Sequence, residues 1–407
     1  MCIGTGGKVM VKRLAYLTWL SENKNNGLVK VISGVRRSGK STLFELFKNE
    51  LIADGINASQ LIHLNFEDLM HYELRDFLKL NAYMMSRIDA EQHYYIFFDE
   101  IQNVYQFEEV VNSLNLRENL DIYVTGSNAY FMSSELATLL TGRYLELKIL
   151  PLSFKEFQSQ MPDMSLMEIY QRYVKTAFPY LLKETNQSKQ IDYVKSTYND
   201  IVLKDIVARY KITEKDILER LLRFLMSCIG SEISVNKIVN TLKSENIHLA
   251  NKTVEKYIDA FENGLILYKA PRYDIKGRNL LKRFEKYYVV DMGFREYLLP
   301  DAIADDGHIL ENIVYLELKR RYEHVYVGRS DKYEVDFVAL DAKRNPSYFQ
   351  VAFETATDDV LERELRSLKL INDDYPKMLL TLDTVRKEGN YDGIIKQNVL
   401  TWLMDGK

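Results

Sequence analysis

The sequence predicts an α/β fold for residues 1–150, a parallel sheet with helices on both faces, and mixed α/β structure again toward its end. Three observations carry this. An apolar stretch from Leu28 to Ser33 runs into Gly34, Val35, Arg36, Arg37, Ser38, Gly39, Lys40, Ser41 and Thr42, after which Leu43, Phe44, Phe47 and Leu51 recur at helical spacing. Leu61 to Phe66, Tyr94 to Phe98 and Leu120 to Thr125 are apolar runs of strand length separated by polar or helix-like segments, as in a sheet buried on both faces. The run at Tyr94 ends in an acidic pair, Asp99 and Glu100.

The loop comes first. Gly34, Gly39, Lys40 and Ser41 fill the GxxxxGK[ST] pattern, in which the N–H groups of residues 34–42 cradle phosphates, the lysine reaches the outer phosphates and the hydroxyl ligates magnesium. ATP and Mg2+ are the expected ligands. Asp99 would hold the metal with Ser41, directly or through water, and Glu100 would orient and deprotonate the attacking water. The plain alternative for the pair is a solvated strand end. The next strand leads through Gly126 to Ser127 and Asn128, either of which would touch the terminal phosphate unless the segment is simply a turn. Arg143 would neutralise phosphate charge in its own site or a neighbour's, or else lie on the surface. Tyr144 to Leu150 alternates apolar and charged residues, which predicts a strand with one exposed face, stopped by Pro151.

A length of 407 residues exceeds one ordinary core and predicts two or three domains. The 54 basic and 58 acidic residues give a formal charge of -4, so nucleic-acid binding would need a local patch. Cys2 and Cys228 are too few for a disulfide framework or a cysteine zinc site, and no run approaches a membrane span. A soluble cytoplasmic protein without membrane contact is expected.

The segments GVRRSGKST, FFDEIQN and TGSNAYFMSSELATLLTGRYLELKILPLSFKEF resemble the AAA-type ATP-binding proteins of bacteria and archaea that carry a C-terminal domain of unknown function. The likeness runs along nearly the whole chain. It implies a RecA-like sheet with an extra strand between the loop strand and the acidic strand. It also implies that Lys40, Ser41, Asp99, Glu100 and one of Ser127 or Asn128 occupy the family's nucleotide positions. The family's two glycines before a Phe-Pro step are replaced here by Thr176 and Ala177 before Phe178 and Pro179, which alters a local turn.

Residues 151–215 turn helical, with Met167, Ile169, Tyr170 and Tyr173 near one face, and read as a connector packed on the first domain. From Ile217 a helix, a second opened by Ser234 and a third opened by Asn251 and closed by Gly264 precede a strand at Leu265 to Tyr268. This order over residues 216–290 resembles a winged helix, whose third helix could enter a major groove. Arg272, Lys276, Arg278, Lys282, Arg283 and Lys286 then form a basic stretch against two acids. They would meet DNA phosphates, or serve a protein-docking or solvated face.

Residues 291–407 predict a helix at Leu310 to Tyr322, strands at Val325 to Gly328, Tyr333 to Leu340 and Tyr348 to Phe353, a helix at Val360 to Ile371 and a strand at Lys377 to Leu382. This order resembles the restriction-endonuclease-like core of the PD-(D/E)xK nucleases. Glu311, Asp336 and Gln350 fall where that fold's metal-binding residues fall. Ala352 stands where its lysine is expected, so the apparatus lacks a cation and the module is expected to bind or pack rather than cleave. The leading expectation is a magnesium-dependent ATPase, or ATP-driven switch, coupled to a C-terminal module that binds DNA or protein. A DNA-binding protein with a regulatory ATP site and a metal-dependent nuclease are the alternatives, and oligomerisation is left open.

Overall fold

The computed structural model describes residues 2–3, 9–126, 140, 142–301, 305–330, 333–383 and 386–405, without the side chains of 2, 3, 9, 203 and 281–284. The chain divides into two compact units, Met1–Pro151 and Leu152–Lys407. Among the described residues no helix is long and apolar enough to cross a membrane.

In the first unit Cys2–Ile3 (β1) and Val9–Met10 (β2) pair antiparallel. Val29–Gly34 (β3), Leu61–Asn65 (β4), Tyr94–Asp99 (β5), Leu120–Gly126 (β6) and Tyr144–Ile149 (β7) form an all-parallel sheet of order β4-β5-β6-β3-β7. The extra strand is therefore present. β6 lies between the loop strand β3 and the acidic strand β5, consistent with a RecA-like fold.

Side chains alternate between two covered faces, which is why β5 and β6 are buried along their whole length and read as apolar runs, whereas β7 alternates apolar and charged residues. Ile96, Phe98, Ile122 and Val124 face a core with Leu80 and Met84 of helix Phe77–Arg87 and Val110, Val111 and Leu114 of helix Phe107–Leu114. Tyr95, Phe97 and Tyr123 face Leu17 and Leu20 of helix Leu14–Glu22 (α1) and Leu43, Phe44, Phe47 and Leu51 of helix Lys40–Ala53 (α2). The two helices already given at 77–87 and 107–114 are α3 and α4.

The second unit opens with helices Phe154–Gln158 (α5), Leu166–Tyr173 (α6), Gln187–Asn199 (α7) and Val207–Tyr210 (α8). The expected connector is thus helical, but it belongs to this unit. Helices Lys215–Ser227 (α9), Val235–Ser244 (α10) and Asn251–Asn263 (α11) follow, then strands Leu267–Asp274 (β8) and Asn279–Val289 (β9). Ser234 caps α10 through the N–H of Lys237 at 3.3 Å, whereas α11 is preceded by Ala250 and takes no side-chain cap.

Helix Met292–Leu298 (α12) and helix Asp306–Arg321 (α13) lead to β10 (His324–Ser330), β11 (Tyr333–Leu340) and β12 (Pro346–Ala352). Helix Asp358–Lys369 (α14), β13 (Lys377–Thr381), β14 (Gly389–Tyr391), β15 (Ile394–Asn398) and helix Val399–Asp405 (α15) complete the chain.

The eight-stranded sheet has the order β14-β15-β13-β12-β11-β10-β8-β9. This corrects the expected boundary at 290/291. β8 pairs parallel with β10, Val327 opposite Arg272, so the strands assigned to a winged helix are part of the C-terminal sheet. The extended basic patch is corrected too. Arg272 and Lys286 are buried, with Arg272 3.6 Å from Glu232, while Lys276 and Arg278 are exposed at the β8–β9 turn.

Candidate functional site

The loop from 34 to 42 sits at the carboxyl end of β3, between that strand and α2. Gly34 is dictated by close approach, since a Cβ there would lie 2.5 Å from the Ile149 carbonyl oxygen on β7. Gly39 carries φ +102° at the entry to α2, a conformation that favours glycine. The Lys40 ammonium is buried and donates to the carbonyls of Gly34 at 3.0 Å and Val35 at 3.3 Å. Burial pulls it below the usual lysine range, and Glu100 and Asp99 oppose that. Val35 and Ser38 are buried, Arg36 pairs with Glu67 at 2.8 Å, and Arg37 takes φ 67°. Ser41 and Thr42 are exposed on the first turn of α2.

The acidic pair stands two strands away at the same edge. Asp99 Oδ1 accepts a hydrogen bond from the Thr125 hydroxyl, while its Oδ2 is buried without a hydrogen-bond partner. Glu100, at φ 54°, donates its N–H to the same hydroxyl at 3.0 Å and accepts from Gln102 Nε2 at 2.6 Å. Its Oε1 is 3.9 Å from Lys40 Nζ. Lys40 and Glu100 are thus brought together across β6, and the donor set suits a magnesium nucleotide. Asp99 Oδ2 offers an unsatisfied hard oxygen, as does the buried, unpartnered Ser38 hydroxyl.

Two residues of this site escaped sequence reasoning. Thr125 fixes both members of the acidic pair from the neighbouring strand. Arg13, buried before α1, donates to Ser38 O at 3.1 Å and to Leu150 O at 2.9 Å, tying the loop to the end of β7. Arg13 sits in no motif, and Thr125 opens the TGSN segment, where only the strand order points to its contact with the acidic pair. Replacing Thr125 with valine keeps the shape and removes the hydroxyl. The expected outcome is roughly tenfold slower ATP turnover with unchanged nucleotide affinity, measured by steady-state kinetics and equilibrium binding.

Arg143 is not brought to this site in its own chain. Its carbonyl accepts from Val29 N, which puts it at the amino end of β3, and six residues of strand span roughly 17 Å. It is exposed there, which leaves the surface position or a neighbour's site of that expectation. Ser127 and Asn128 lie outside the described residues.

The second candidate set is only partly assembled. Glu311 on α13 and Asp336 on β11 converge on Lys286 of β9, with Lys286 Nζ 2.9 Å from Glu311 Oε1, 2.7 Å from Glu334 and 3.9 Å from Asp336. Burial disfavours this ammonium, but Glu311, Asp336 and Glu334 outweigh it and push its pKa up. Burial and the Glu311 charge push the Asp336 carboxyl up as well. Gln350 lies beside this cluster, its Oε1 accepting the Asp336 N–H at 3.4 Å and the Ser367 hydroxyl at 3.2 Å, while its Nε2 donates to Glu364 at 3.2 Å. The expectation that the cluster lacks a cation is therefore corrected, since Lys286 arrives from β9 in place of Ala352.

Comparison with known proteins bears on the domain that carries the first site. Residues 26–158 match an AAA domain family, and residues 167–302 match a domain of unknown function (DUF8612). An uncharacterised protein of Haemophilus influenzae is 38% identical over 98% of this chain and 99% of its own length. The chain belongs to its family. A further uncharacterised protein, from Methanocaldococcus jannaschii, is 30% identical over 84% of this chain and 80% of its own. The first unit is thus a P-loop domain of AAA type.

Solved structures with some similarity include a Walker-type ATPase of Pyrococcus abyssi, 14% identical over 71% of this chain and 95% of that one, with a TM-score of 0.47. AMPPCP-bound DnaA from Aquifex aeolicus is 16% identical over 62% of this chain and 88% of that one, with a TM-score of 0.32. Likenesses this remote carry no argument about function.

Proposed function

We propose that the protein is a magnesium-dependent ATPase whose nucleotide state governs how the second unit binds a macromolecular partner. One observation carries the reading. The buried, unpartnered Asp99 Oδ2 stands beside Glu100, whose carboxylate is 3.9 Å from an ammonium resting on the loop carbonyls. Ser41 and Asp99 would hold magnesium, which supplies charge neutralisation on the phosphates. Lys40 would move from the Gly34 and Val35 carbonyls to the phosphate oxygens. Glu100 accepts the proton of the attacking water, and Gln102, donating to Glu100 Oε2 at 2.6 Å, orients that carboxylate. Arg143 would act on a neighbouring copy's nucleotide if the protein oligomerises.

DNA is the partner to test first, because Lys276 and Arg278 are exposed at the β8–β9 turn. The exposed face of α11 argues more weakly, since Lys252 and Lys256 are balanced there by Glu255 and Asp259. ATP turnover is to be measured with and without duplex DNA across a salt series. Stimulation at low salt is expected, and changing Arg278, Lys282 and Arg283 to alanine together should flatten the salt slope by roughly three. ATP turnover indifferent to DNA would transfer the role to a protein partner, and absence of turnover under all conditions would refute the ATPase.

A further inference from the structure

We propose that the acid cluster of the second unit is a cation site whose resident cation is the ammonium of Lys286, filling from within the chain the position a divalent metal would take. The side chains converge from three elements, Lys286 and Tyr288 from β9, Glu311 from α13, and Glu334 and Asp336 from β11. Lys286, Glu311 and Asp336 are all less than a tenth exposed. An ammonium offers three donors and no acceptor, and here it meets three carboxylates at 2.7, 2.9 and 3.9 Å. A second cation at the same oxygens would lie within a few ångströms of it in a poorly screened interior, where like charges repel strongly.

The other oxygens that a metal would need are also in use. Glu311 Oε1 accepts from the Tyr288 hydroxyl at 2.6 Å as well as from Lys286. Asp336 Oδ2 accepts the Val351 N–H at 2.8 Å, and the Gln350 carbonyl accepts the Asp336 N–H at 3.4 Å and the Ser367 hydroxyl of α14 at 3.2 Å. Among the described residues no group of three or more His, Cys, Asp or Glu is placed to hold a metal ion. The sheet order explains how the cation enters. Because β8 pairs with β10, the hairpin carries β9 into the second unit's sheet and aims Lys286 at Glu311 and Asp336. The cluster is therefore a closed ion network joining β9, α13 and β11, and removing the lysine converts it into a divalent-cation site.

The test is Mn2+ titration calorimetry on nucleotide-free full-length protein carrying Asp99→Asn, which removes the metal oxygen of the first unit. Adding Lys286→Ala should tighten Mn2+ binding by about tenfold or more, and a further Asp336→Asn should abolish the gain. If Lys286→Ala does not accumulate as folded protein, Lys286→Ala with Glu334→Gln removes one charge of each sign and gives the same reading. A folded lysine-free variant that gains no Mn2+ affinity overturns the proposal. So does Mn2+ binding with Lys286 present that is lost on Asp336→Asn, or Mn2+-dependent DNA cleavage by the wild type that is lost on Lys286→Ala.

Discussion

Glu100→Gln should slow ATP turnover by about a hundred- to ten-thousand-fold while leaving ATP affinity within about threefold of wild type. The substitution keeps the size of the side chain and an oxygen that can accept from Gln102, so the φ 54° turn at position 100 has no steric reason to change. It removes the one buried carboxylate within 4 Å of the Lys40 ammonium among the described ion pairs. On the proposed mechanism, binding would depend on the loop N–H groups and on Lys40, which do not change, whereas proton removal from water would depend on the carboxylate. Lys40→Ala should show the opposite pattern, with ATP bound about tenfold or more weakly because a charge-assisted phosphate contact is gone. Fluorescent-nucleotide titration together with a phosphate-release assay separates the two. Full turnover in Glu100→Gln would remove that residue from the role of base.

The parts of this site that could be read in the sequence are those written in contiguous residues. Loop, strand and helix between Leu28 and Ala53 form one local sentence, and the acidic pair closes a strand whose apolar run marks it as buried. The elements between Leu310 and Leu382 were also legible, with β11 found at Tyr333–Leu340 as expected, because period-two and period-3.6 patterns are local signals, whereas β14, β15 and α15 were not read. What the pattern did not reveal are contacts made by single residues across long separations. Arg13 reaches Leu150, 137 positions away, and Thr125 reaches Asp99 across a strand pairing.

Arg143 shows a different limit. It neighbours the acidic pair's sheet in sequence, but β7 runs parallel to β3, so a residue just before β7 lies at the edge away from the loop. The boundary drawn after the winged-helix-like segment missed the C-terminal sheet for a related reason, although Ile233 bridges antiparallel to Glu285 on β9 as that pattern requires. Three helices and a hairpin specify a local pattern, while the partner of β8 is decided by β10, more than fifty residues on. Lys286 was counted as one charge of a surface patch, and only that pairing turns it inward.

Asp121→Ala should destabilise the first unit by about 3–5 kcal/mol, read from its urea unfolding midpoint, because it strands the Lys30 ammonium inside the sheet. Lys30 on β3 and Asp121 on β6 form an ion pair with side-chain exposures of 0% and 2%. Burial pulls the Lys30 pKa down and the Asp121 carboxylate opposes it. Asp121 also accepts from the Tyr123 hydroxyl at 2.6 Å and the Asn25 N–H at 3.0 Å, leaving no apolar substitute free of unsatisfied donors. Lys30→Met combined with Asp121→Asn retains those acceptors and should recover most of the loss, to within about 2 kcal/mol of wild type. A loss below about 1 kcal/mol in Asp121→Ala alone would contradict the buried pairing. The pair bears on function through strand order. A lysine on β3 paired with an aspartate on β6 favours the adjacency of those strands, and that adjacency is what seats Thr125 between the phosphate loop and the acidic pair.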